Sequence, residues 1–418
     1  MRQFVKIVLP VILLATACIG LPQPRGSGST GVQVGPVHRV SPSHYVFEPS
    51  IAVDPRNPNH LAAIVTSADA FDCDSLNGNC APILMLDVSQ DDATWTEYRL
   101  TKGASGDGTV AIAPDGTIYE AGIHNFDRPG VAFSHQGLPE DDVLSVDYEP
   151  HFPGVGADKP WMSIDQRTGA IYVAYTAPHP EQPNRYSLLL ERSSDGGKTW
   201  NASVVPPGYG GQVLPGPGGQ LAIAFLTTVG IAEADLLLGE RIVAVSTSPD
   251  GGKTFSAAST IGKSLGFESA TARAGVYYVA YLSGTQQAEQ LTVATPRDSA
   301  RTWQSSVANG PIPLYYAPAA PAPAMDIEAY RREVPHWLDP CAYNVHYTFS
   351  KDGGKGWTAP RQLNEQPIEG RKAVQIPSGR SRLGEYVGMA STERYAYPLW
   401  IDTQGTDGTQ ANTVRIER

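Results

Sequence analysis

Charged residues are scarce in this 418-residue chain, at 17% of the total, and only 4 cysteines and 5 methionines occur. Apolar residues do not recur over any long stretch at the spacing of an amphipathic helix, which argues against a helical fold. Glycine and proline are instead abundant, with 42 and 35 copies. This composition is typical of short strands joined by tight turns, so it predicts an all-β chain.

Positive charge is also in deficit. Lys and Arg together number 31 against 42 Asp and Glu, which gives a formal net charge of −11. Nucleic acid and an anionic membrane surface are therefore excluded as main partners, although a local basic pocket for an acidic sugar is not. Four ligands for a structural metal are not found together, and we expect neither a metal nor a cofactor.

Long apolar runs are missing except near the beginning of the chain. Residues 1–18 have a basic start, a short apolar core and small residues before their end, which is the pattern of a signal peptide. Cys18 stands where a bacterial lipobox has its lipidated cysteine, and residues 19–30 form a flexible tether in this interpretation. The alternative is ordinary cleavage near Ala17. We expect an exported protein, either a cell-envelope lipoprotein that touches a membrane only through its lipid or a secreted protein.

Two of the few cysteines are close in sequence. Cys73 and Cys80 flank a segment rich in turn-forming residues. In an exported protein this arrangement predicts a local disulfide that stabilises one loop by about 2–3 kcal/mol. Two free thiols are the alternative.

A short turn-forming motif, Ser-x-Asp-x-Gly-x-Thr followed by an aromatic residue, occurs in three good copies. The Asp carboxylate can accept backbone N–H groups of its own turn, the Gly permits positive φ, and the aromatic ring can pack the turn onto neighbouring strands. We therefore interpret the motif as structural. Its residues are Ser193, Asp195, Gly197, Trp200, Ser248, Asp250, Gly252, Phe255, Ser350, Asp352, Gly354 and Trp357.

Weaker copies of the motif precede Trp95 and Trp303, and the aromatic positions then recur about every fifty residues, the length of a four-stranded propeller blade. The motif is the Asp-box, and the chain resembles the sialidase-like β-propellers built from bacterial neuraminidase repeats. The segment from Gly384 to Ala390 and the Pro-Leu-Trp-Ile-Asp-Thr stretch from Pro398 extend this resemblance.

The resemblance implies an all-β propeller domain over residues 31–418, with four-stranded blades numbering about seven, six being possible. Residues 31–40 are expected to close the ring with the last blade, because closure removes an open sheet edge. Residues 311–340, rich in Pro and Ala, are interpreted as an inserted loop in which a short helix can form, and a disordered insert is the alternative.

The resemblance also implies glycan binding and, in the catalytic members, exo-sialidase hydrolysis. That reaction uses three arginines on the substrate carboxylate, a Tyr nucleophile activated by a Glu, and an Asp acid/base. Tyr386 and Glu385 are the candidate nucleophile and its partner, although adjacent strand residues point to opposite faces. Glu48 occupies roughly the place of the first clamp arginine of the family.

Inner strands of a propeller begin at one mouth of its channel, and polar residues near those starts, or in a loop expected at the same face after a second strand, are candidate substrate ligands. They are Arg382, Arg380, Lys159, Glu268, His124 and Asp127, with Arg192 and Arg273 as further clamp candidates. No evenly spaced arginine triad can be identified. The alternatives are a non-catalytic scaffold for protein–protein binding at the cell envelope, or a different hydrolase or lyase on the same ring. We expect a monomer.

Overall fold

The computed structural model describes residues 32–418 except 74–79, 101–103, 125–127, 135–142, 145–157, 180–181, 228–240, 265–268, 274–275, 286–287, 298–301, 308–312, 320–324, 333–341, 370–371, 373, 376–380, 383–386 and 405–407. Residues 1–31 lie outside this range, so the predicted signal peptide, Cys18 and the tether do too. The same holds for the predicted site residues Asp127, Glu268, Arg380, Glu385 and Tyr386. No helix of the described part is long and apolar enough to cross a membrane.

The described residues fold almost entirely into strands. In the first half these are β1 (Gln33–Arg39), β2 (Val46–Asp54), β3 (Asn57–Cys73), β4 (Cys80–Ser89), β5 (Thr96–Leu100), β6 (Ala104–Ile112), β7 (Ile118–His124), β8 (Arg128–Ser134), β9 (Val143–Leu144), β10 (Asp158–Ile164), β11 (Ile171–His179), β12 (Gln182–Ser193) and β13 (Asn201–Val204). Next come β14 (Gly208–Pro215), a 3-10 turn at Pro217–Gly219, β15 (Leu221–Thr227), β16 (Arg241–Ser248), β17 (Ser259–Ser264), β18 (Ser269–Arg273), β19 (Val276–Thr285), β20 (Ala288–Arg297) and β21 (Thr302–Val307). The remainder are β22 (Pro313–Ala319), β23 (Met325–Arg332), β24 (Ala342–Ser350), β25 (Arg361–Gln362), β26 (Ile368–Glu369), β27 (Val374–Gln375), β28 (Ser381–Arg382), β29 (Gly388–Ser391), β30 (Tyr395–Asp402) and β31 (Gln410–Glu417).

Consecutive strands pair antiparallel into small sheets. We number these sheets I (β2 to β5, with β9 added parallel to β5), II (β6 to β8), III (β10 to β13), IV (β14 to β17), V (β18 to β21), VI (β22 to β26) and VII (β29 to β31 with β1). A separate hairpin, β27–β28, precedes sheet VII in the chain.

The sheets stack face to face, and this explains why their central strands are apolar on both faces. In β11, Ile171 and Val173 pack into a core shared with sheet II, whereas Tyr172 and Ala174 pack into a core shared with sheet IV. Successive strand residues point to opposite faces, so a sheet buried on both faces needs an unbroken apolar run.

The stacked sheets close into a ring. The first strands contact one another in the order β2, β6, β10, β14, β18, β22 and β29, and β29 contacts β2 again. Sheet VII is completed by β1, which pairs with β31 from Gln33 opposite Glu417 to Arg39 opposite Asn412. The predicted closing strand is therefore confirmed, and the molecule is an all-β propeller.

The interpretation of residues 311–340 as an inserted loop with a short helix was wrong for its described part. Strands β22 and β23 lie there and pair in register from Pro313 opposite Arg331 to Ala319 opposite Asp326. Its prolines misled the interpretation. Pro313 and Pro318 are compatible with a strand because β22 is an edge strand of its sheet, and Pro313 is its first residue, positions at which proline is tolerated.

Each of the three good Asp-boxes forms the turn after the third long strand of its sheet. In the first box, Thr199 donates to Asp195 from its backbone N, at 2.9 Å, and from its hydroxyl, at 2.6 Å. The backbone N of Gly197, whose φ is 84°, donates to the Ser193 hydroxyl oxygen at 2.8 Å. These hydrogen bonds lower the pKa of Asp195 to about 2, with the Thr199 hydroxyl as the largest cause.

The other two good boxes repeat this geometry. Gly252 and Gly354 have φ of 89° and 87°, and their backbone N atoms donate to Ser248 and Ser350 at 2.7 and 2.8 Å. In the third box Gly356 replaces the Thr, so only its backbone N reaches Asp352, at 2.8 Å. The local turn chemistry is therefore the same in sheets III, IV and VI.

The boxes also join neighbouring sheets. Ser203 of sheet III donates its hydroxyl hydrogen to the Gly252 carbonyl of sheet IV, and Ser306 of sheet V does the same to the Gly354 carbonyl of sheet VI. Trp200 packs in the core between sheets II and III. A structural role for the box residues fits these contacts.

Two residues before each box serine lies a buried polar side chain. In two sheets it is a hydroxyl, and the Thr348 hydroxyl donates to the Thr358 carbonyl at 2.7 Å. In sheet I the equivalent residue is Asp87, which is 0% exposed and whose carboxylate oxygens accept no hydrogen bond from the described residues. Burial, and then the charge of Glu97, raise the pKa of Asp87 well above its usual range.

Candidate functional site

The inner strands carry an irregularity near the end at which they begin, which we call the mouth. Strands β2, β6, β10 and β14 each shift register there. The shifts occur at residues with positive φ, namely Glu48 at 54°, Asp107 at 50°, Lys159 at 52° and Gly210 at 69°. A Pro or a Gly follows each of them in the sequence. Such bulges re-aim side chains and are frequent beside functional sites.

Three of these four bulge residues are charged, and all three are buried. Glu48, Asp107 and Lys159 are only 3%, 8% and 7% exposed. A left-handed backbone strains a residue other than Gly, and burying a charge is costly unless it is paired. Strain and buried charge at equivalent positions of three neighbouring sheets mark the mouth as the candidate site.

Four ionisable side chains meet where sheets II, III and IV adjoin, and we call them the mouth cluster: Asp107, Asp158, Lys159 and Tyr209. The Lys159 Nζ lies 3.3 Å from the Asp107 Oδ1, and the Lys159 backbone N donates to the Asp107 Oδ2 at 3.3 Å. Asp107 and Asp158 also interact, because each shifts the pKa of the other. The Tyr209 hydroxyl donates to the Asp158 Oδ2.

Backbone pairing positions these groups. Asp158 opens β10 opposite Thr176 of β11. The Thr176 hydroxyl oxygen in turn accepts the Gly210 backbone N of β14 at 3.0 Å, which anchors the residue after Tyr209 to sheet III. The two groups therefore meet because Thr176 lies opposite Asp158 and also accepts a hydrogen bond from the residue after Tyr209.

The two carboxyl groups have opposite pKa shifts. Burial is the largest cause that raises the pKa of Asp158 to about 6, and the negative charge of Asp107 adds to it. Burial alone would also raise the pKa of Asp107, but the charge of Lys159 and the hydrogen bond from Asp158 lower it overall. Below about pH 6 the pair therefore holds a proton on Asp158 and a negative charge on Asp107, the division of roles between an acid and a charged partner.

Asp158 is the carboxyl group that a ligand can reach. Asp158 and Tyr209 are half-buried, whereas Asp107 and Lys159 are buried. Half-buried Trp161 lies on the same strand, opposite Ala174, two residues from the partner of Asp158. Because Ala174 and Thr176 are on the same face of β11, the pairing puts the Trp161 and Asp158 side chains on the same face of sheet III, and an aromatic ring near polar groups is common in ligand sites.

The sequence-predicted site residues are only partly brought together. Glu48 and Lys159 lie at the mouth, and the backbone of His124 lies there too, because it pairs with Ala104 at the start of β6. Arg382 pairs with Val374 in the β27–β28 hairpin. Cys73 and Cys80 are directly opposite each other at the ends of β3 and β4.

The two further clamp candidates were wrong in position. The Arg192 guanidinium donates to the Gly251 carbonyl at 2.8 Å, at the Asp-box end of its sheet. Arg273 pairs with Val276 beside the turn between β18 and β19. Both residues lie at the end of their sheets opposite the mouth. Arg192 is the next-to-last residue of β12, and Arg273 is the last residue of β18.

Sequence reasoning missed Asp107, Asp158 and Tyr209. One signal could have found Asp107, because a charged residue followed by Pro or Gly marks the bulge in three inner strands. Asp158 is adjacent to Lys159, a predicted substrate ligand, but nothing in the sequence indicates that Asp158 contacts Tyr209. No group of three His, Cys, Asp or Glu side chains in the described ranges could hold a metal ion.

Comparison with known proteins identifies the class of fold. No protein-family model matches the chain, and no curated protein matches it. It is similar in structure to a protein of unknown function from Dyadobacter fermentans, with TM-score 0.52 and 12% identity over 93% of this chain and 99% of that one. It is also similar to the polysaccharide lyase Uly1 (TM-score 0.53, 8% identity, 91% and 90% covered) and to the phage phi92 endosialidase (0.52, 9%, 92% and 69%). The chain has the sialidase-like β-propeller fold.

Proposed function

We propose that the protein is an exported propeller that binds glycans at its mouth. The observation that carries this is the mouth cluster, where carboxyl, ammonium and phenol groups converge beside the half-buried Trp161. Sugars present hydroxyl groups for hydrogen bonding and an apolar ring face, and such a site complements both. Two solved propellers of similar fold are named for glycan chemistry, as an endosialidase and a polysaccharide lyase, which supports the same direction.

Hydrolysis of a sialoside is the finer form of this proposal. It requires Arg380 and Arg382 to approach the substrate carboxylate, and Tyr386 with Glu385 to act near the anomeric carbon. The chain position of β28 just before β29 favours this placement for Arg382. A non-catalytic scaffold is the remaining reading if no glycan binds.

The blade count and the export route belong to the same proposal. We infer that sheets I to VII are all blades, so the ring has seven, because the first strand of each contacts the first strand of the next. Cleavage before Cys18 followed by lipidation would leave residues 19–30 as a tether. The cross-strand position of Cys73 and Cys80 supports a disulfide between them.

The test is a glycan array with purified protein, followed by titration of the tightest glycan. Trp161→Ala should weaken binding at least tenfold, because it removes the ring beside the cluster, and Glu365→Gln, on an exposed loop, should not change it. Circular dichroism would confirm that both variants are folded. Failure to bind any glycan, or equal binding by the Trp161 variant, would contradict the proposal.

A further inference from the structure

We propose that Asp158 is the general acid of a glycosidic bond cleavage at the mouth, with Asp107 as its proton partner and Tyr209 as the residue that positions it. This inference rests on the proposed glycan-binding function and extends it to a reaction. It assigns the chemistry to sheets II, III and IV rather than to Tyr386 and Glu385.

The separation of the two carboxyl groups decides what they can do. In glycosidases that use an acid and a second carboxylate on opposite sides of the sugar, these groups lie about 5–9.5 Å apart. In the mouth cluster the backbone N of Lys159, the residue next to Asp158, donates to the Asp107 Oδ2 at 3.3 Å, which places the two carboxyl groups side by side. They therefore face a bound sugar from the same side and act as one proton-donating unit.

The contacts of the pair assign the proton to one member. Asp107 is buried and ion-paired with Lys159 at 3.3 Å, so it remains the negatively charged member of the pair. Asp158 is half-buried at the start of β10 and can meet a ligand. The Tyr209 hydroxyl donates a hydrogen bond to the Asp158 Oδ2, which fixes the orientation of the Asp158 carboxyl group.

The titration of Asp158 suits this role. Its pKa is raised to about 6 by burial first and then by Asp107, against the opposing effects of Lys159 and Tyr209. An acid with a pKa near the working pH is protonated in a substantial fraction of molecules and still transfers its proton readily. These three neighbours are the charged and titratable groups that act on it from β6, β10 and β14.

The step balances with water as the second reactant. Asp158 transfers its proton to the glycosidic oxygen while the bond from that oxygen to the anomeric carbon breaks, and the electron pair stays with the oxygen, which leaves as an alcohol. Water then adds to the anomeric carbon and gives a proton to the Asp158 carboxylate, which restores the acid. One water is consumed and one glycosidic bond is hydrolysed.

The first experiment compares leaving groups on a panel of glycosides, sialosides included. Asp158→Asn should lower kcat/KM by about 10²–10⁴-fold on 4-methylumbelliferyl glycosides, whose leaving oxygen needs a proton. It should lower kcat/KM far less on 2,4-dinitrophenyl glycosides, which leave unprotonated. Glu365→Gln, which removes an exposed carboxylate, should match the wild type on both. An equal loss on both kinds of substrate would overturn the assignment.

The second experiment measures the pH dependence of kcat/KM. Activity should fall as pH rises through about 6, since the acid form is lost. Tyr209→Phe should move that limb to higher pH, because it removes a hydrogen bond that favours the charged form, and Asp107→Asn should move it to lower pH, because it removes a like charge. A merely structural role would reduce activity without moving the limb in these opposite directions. Glycan binding without turnover of any panel glycoside would refute the acid and leave the binding function intact, whereas absence of binding would remove both.

Discussion

Replacing Asp158 by Asn should stabilise the protein at neutral pH even as it removes the proposed acid. Asn has the shape of the neutral carboxyl group and can still donate a hydrogen bond to Asp107. It cannot ionise, so it never places a second negative charge beside Asp107 in the mouth cluster. A gain in stability with a loss of function is the expected signature of a strained active site.

The size of the effect follows from the pKa. Asp158 titrates near pH 6 in the folded protein, against a usual value of 3.8. A raised carboxyl pKa means that the folded state binds the proton more tightly, so its contribution to stability is full below 3.8 and is lost as pH rises through 6. Each unit corresponds to about 1.4 kcal/mol, so the wild type loses up to about 3 kcal/mol that the Asn variant keeps.

Urea unfolding followed by tryptophan fluorescence at pH 3.5, 5 and 7.5 would measure this difference. The variant should exceed the wild type at pH 7.5, by less at pH 5, and match it at pH 3.5. Glu365→Gln serves as the control, because it removes one carboxylate from an exposed loop. A variant that is less stable than the wild type at pH 7.5, or a difference that does not change with pH, would refute the reasoning about the cluster.

Three further outcomes test the fold. Ser306→Ala should cost about 1 kcal/mol of unfolding free energy, because the Gly354 carbonyl loses its donor from the neighbouring sheet, while Ser305→Ala on the same strand should cost nothing measurable by the same urea assay. Trp200→Ala should cost about 3–5 kcal/mol, since it empties the core between sheets II and III, and thermal unfolding would reveal a smaller loss if that packing is wrong. Asp87→Thr, which introduces the hydroxyl found at Thr348, should stabilise the protein by about 1–3 kcal/mol at pH 7.5, and the gain should shrink as pH falls and be gone near 3.8, where the carboxyl group takes up a proton in the unfolded chain as well; a constant gain at all pH values would show that ionisation of Asp87 is not the cause.

The repeat could be predicted from the sequence because its chemistry is local. Asp250 accepts hydrogen bonds from Lys253 and Thr254, three and four residues away, so the complete turn is visible in one short motif. The hydrogen bond from Ser203 to Gly252 joins different repeats, and nothing in the sequence around either residue predicts it. The propeller class was therefore accessible, whereas the hydrogen bonds that hold its sheets together were not.

The candidate site was less accessible because it depends on bulges. One extra residue in an inner strand changes which side chains point toward the next sheet. The face on which a later side chain lies can then no longer be predicted by counting alternate residues from the start of the strand. Lys159 was selected as a ligand for a sugar, yet its ammonium group lies against Asp107. Nothing in the sequence around Tyr209 indicates its contact with Asp158, because Asp158 lies on another sheet and about fifty residues earlier in the chain.

The pairing of β1 with β31 ties residues from the two ends of the described chain into one sheet. During synthesis, sheet I can form as soon as its strands emerge, but the ring stays open until the segment around Glu417 is made. A pull on the chain just before Gln33 would load that same seam directly. In a molecule anchored through the chain before Gln33, the pulling force would therefore act on the β1–β31 pairing, where hydrogen bonds between strands far apart in the chain close the ring.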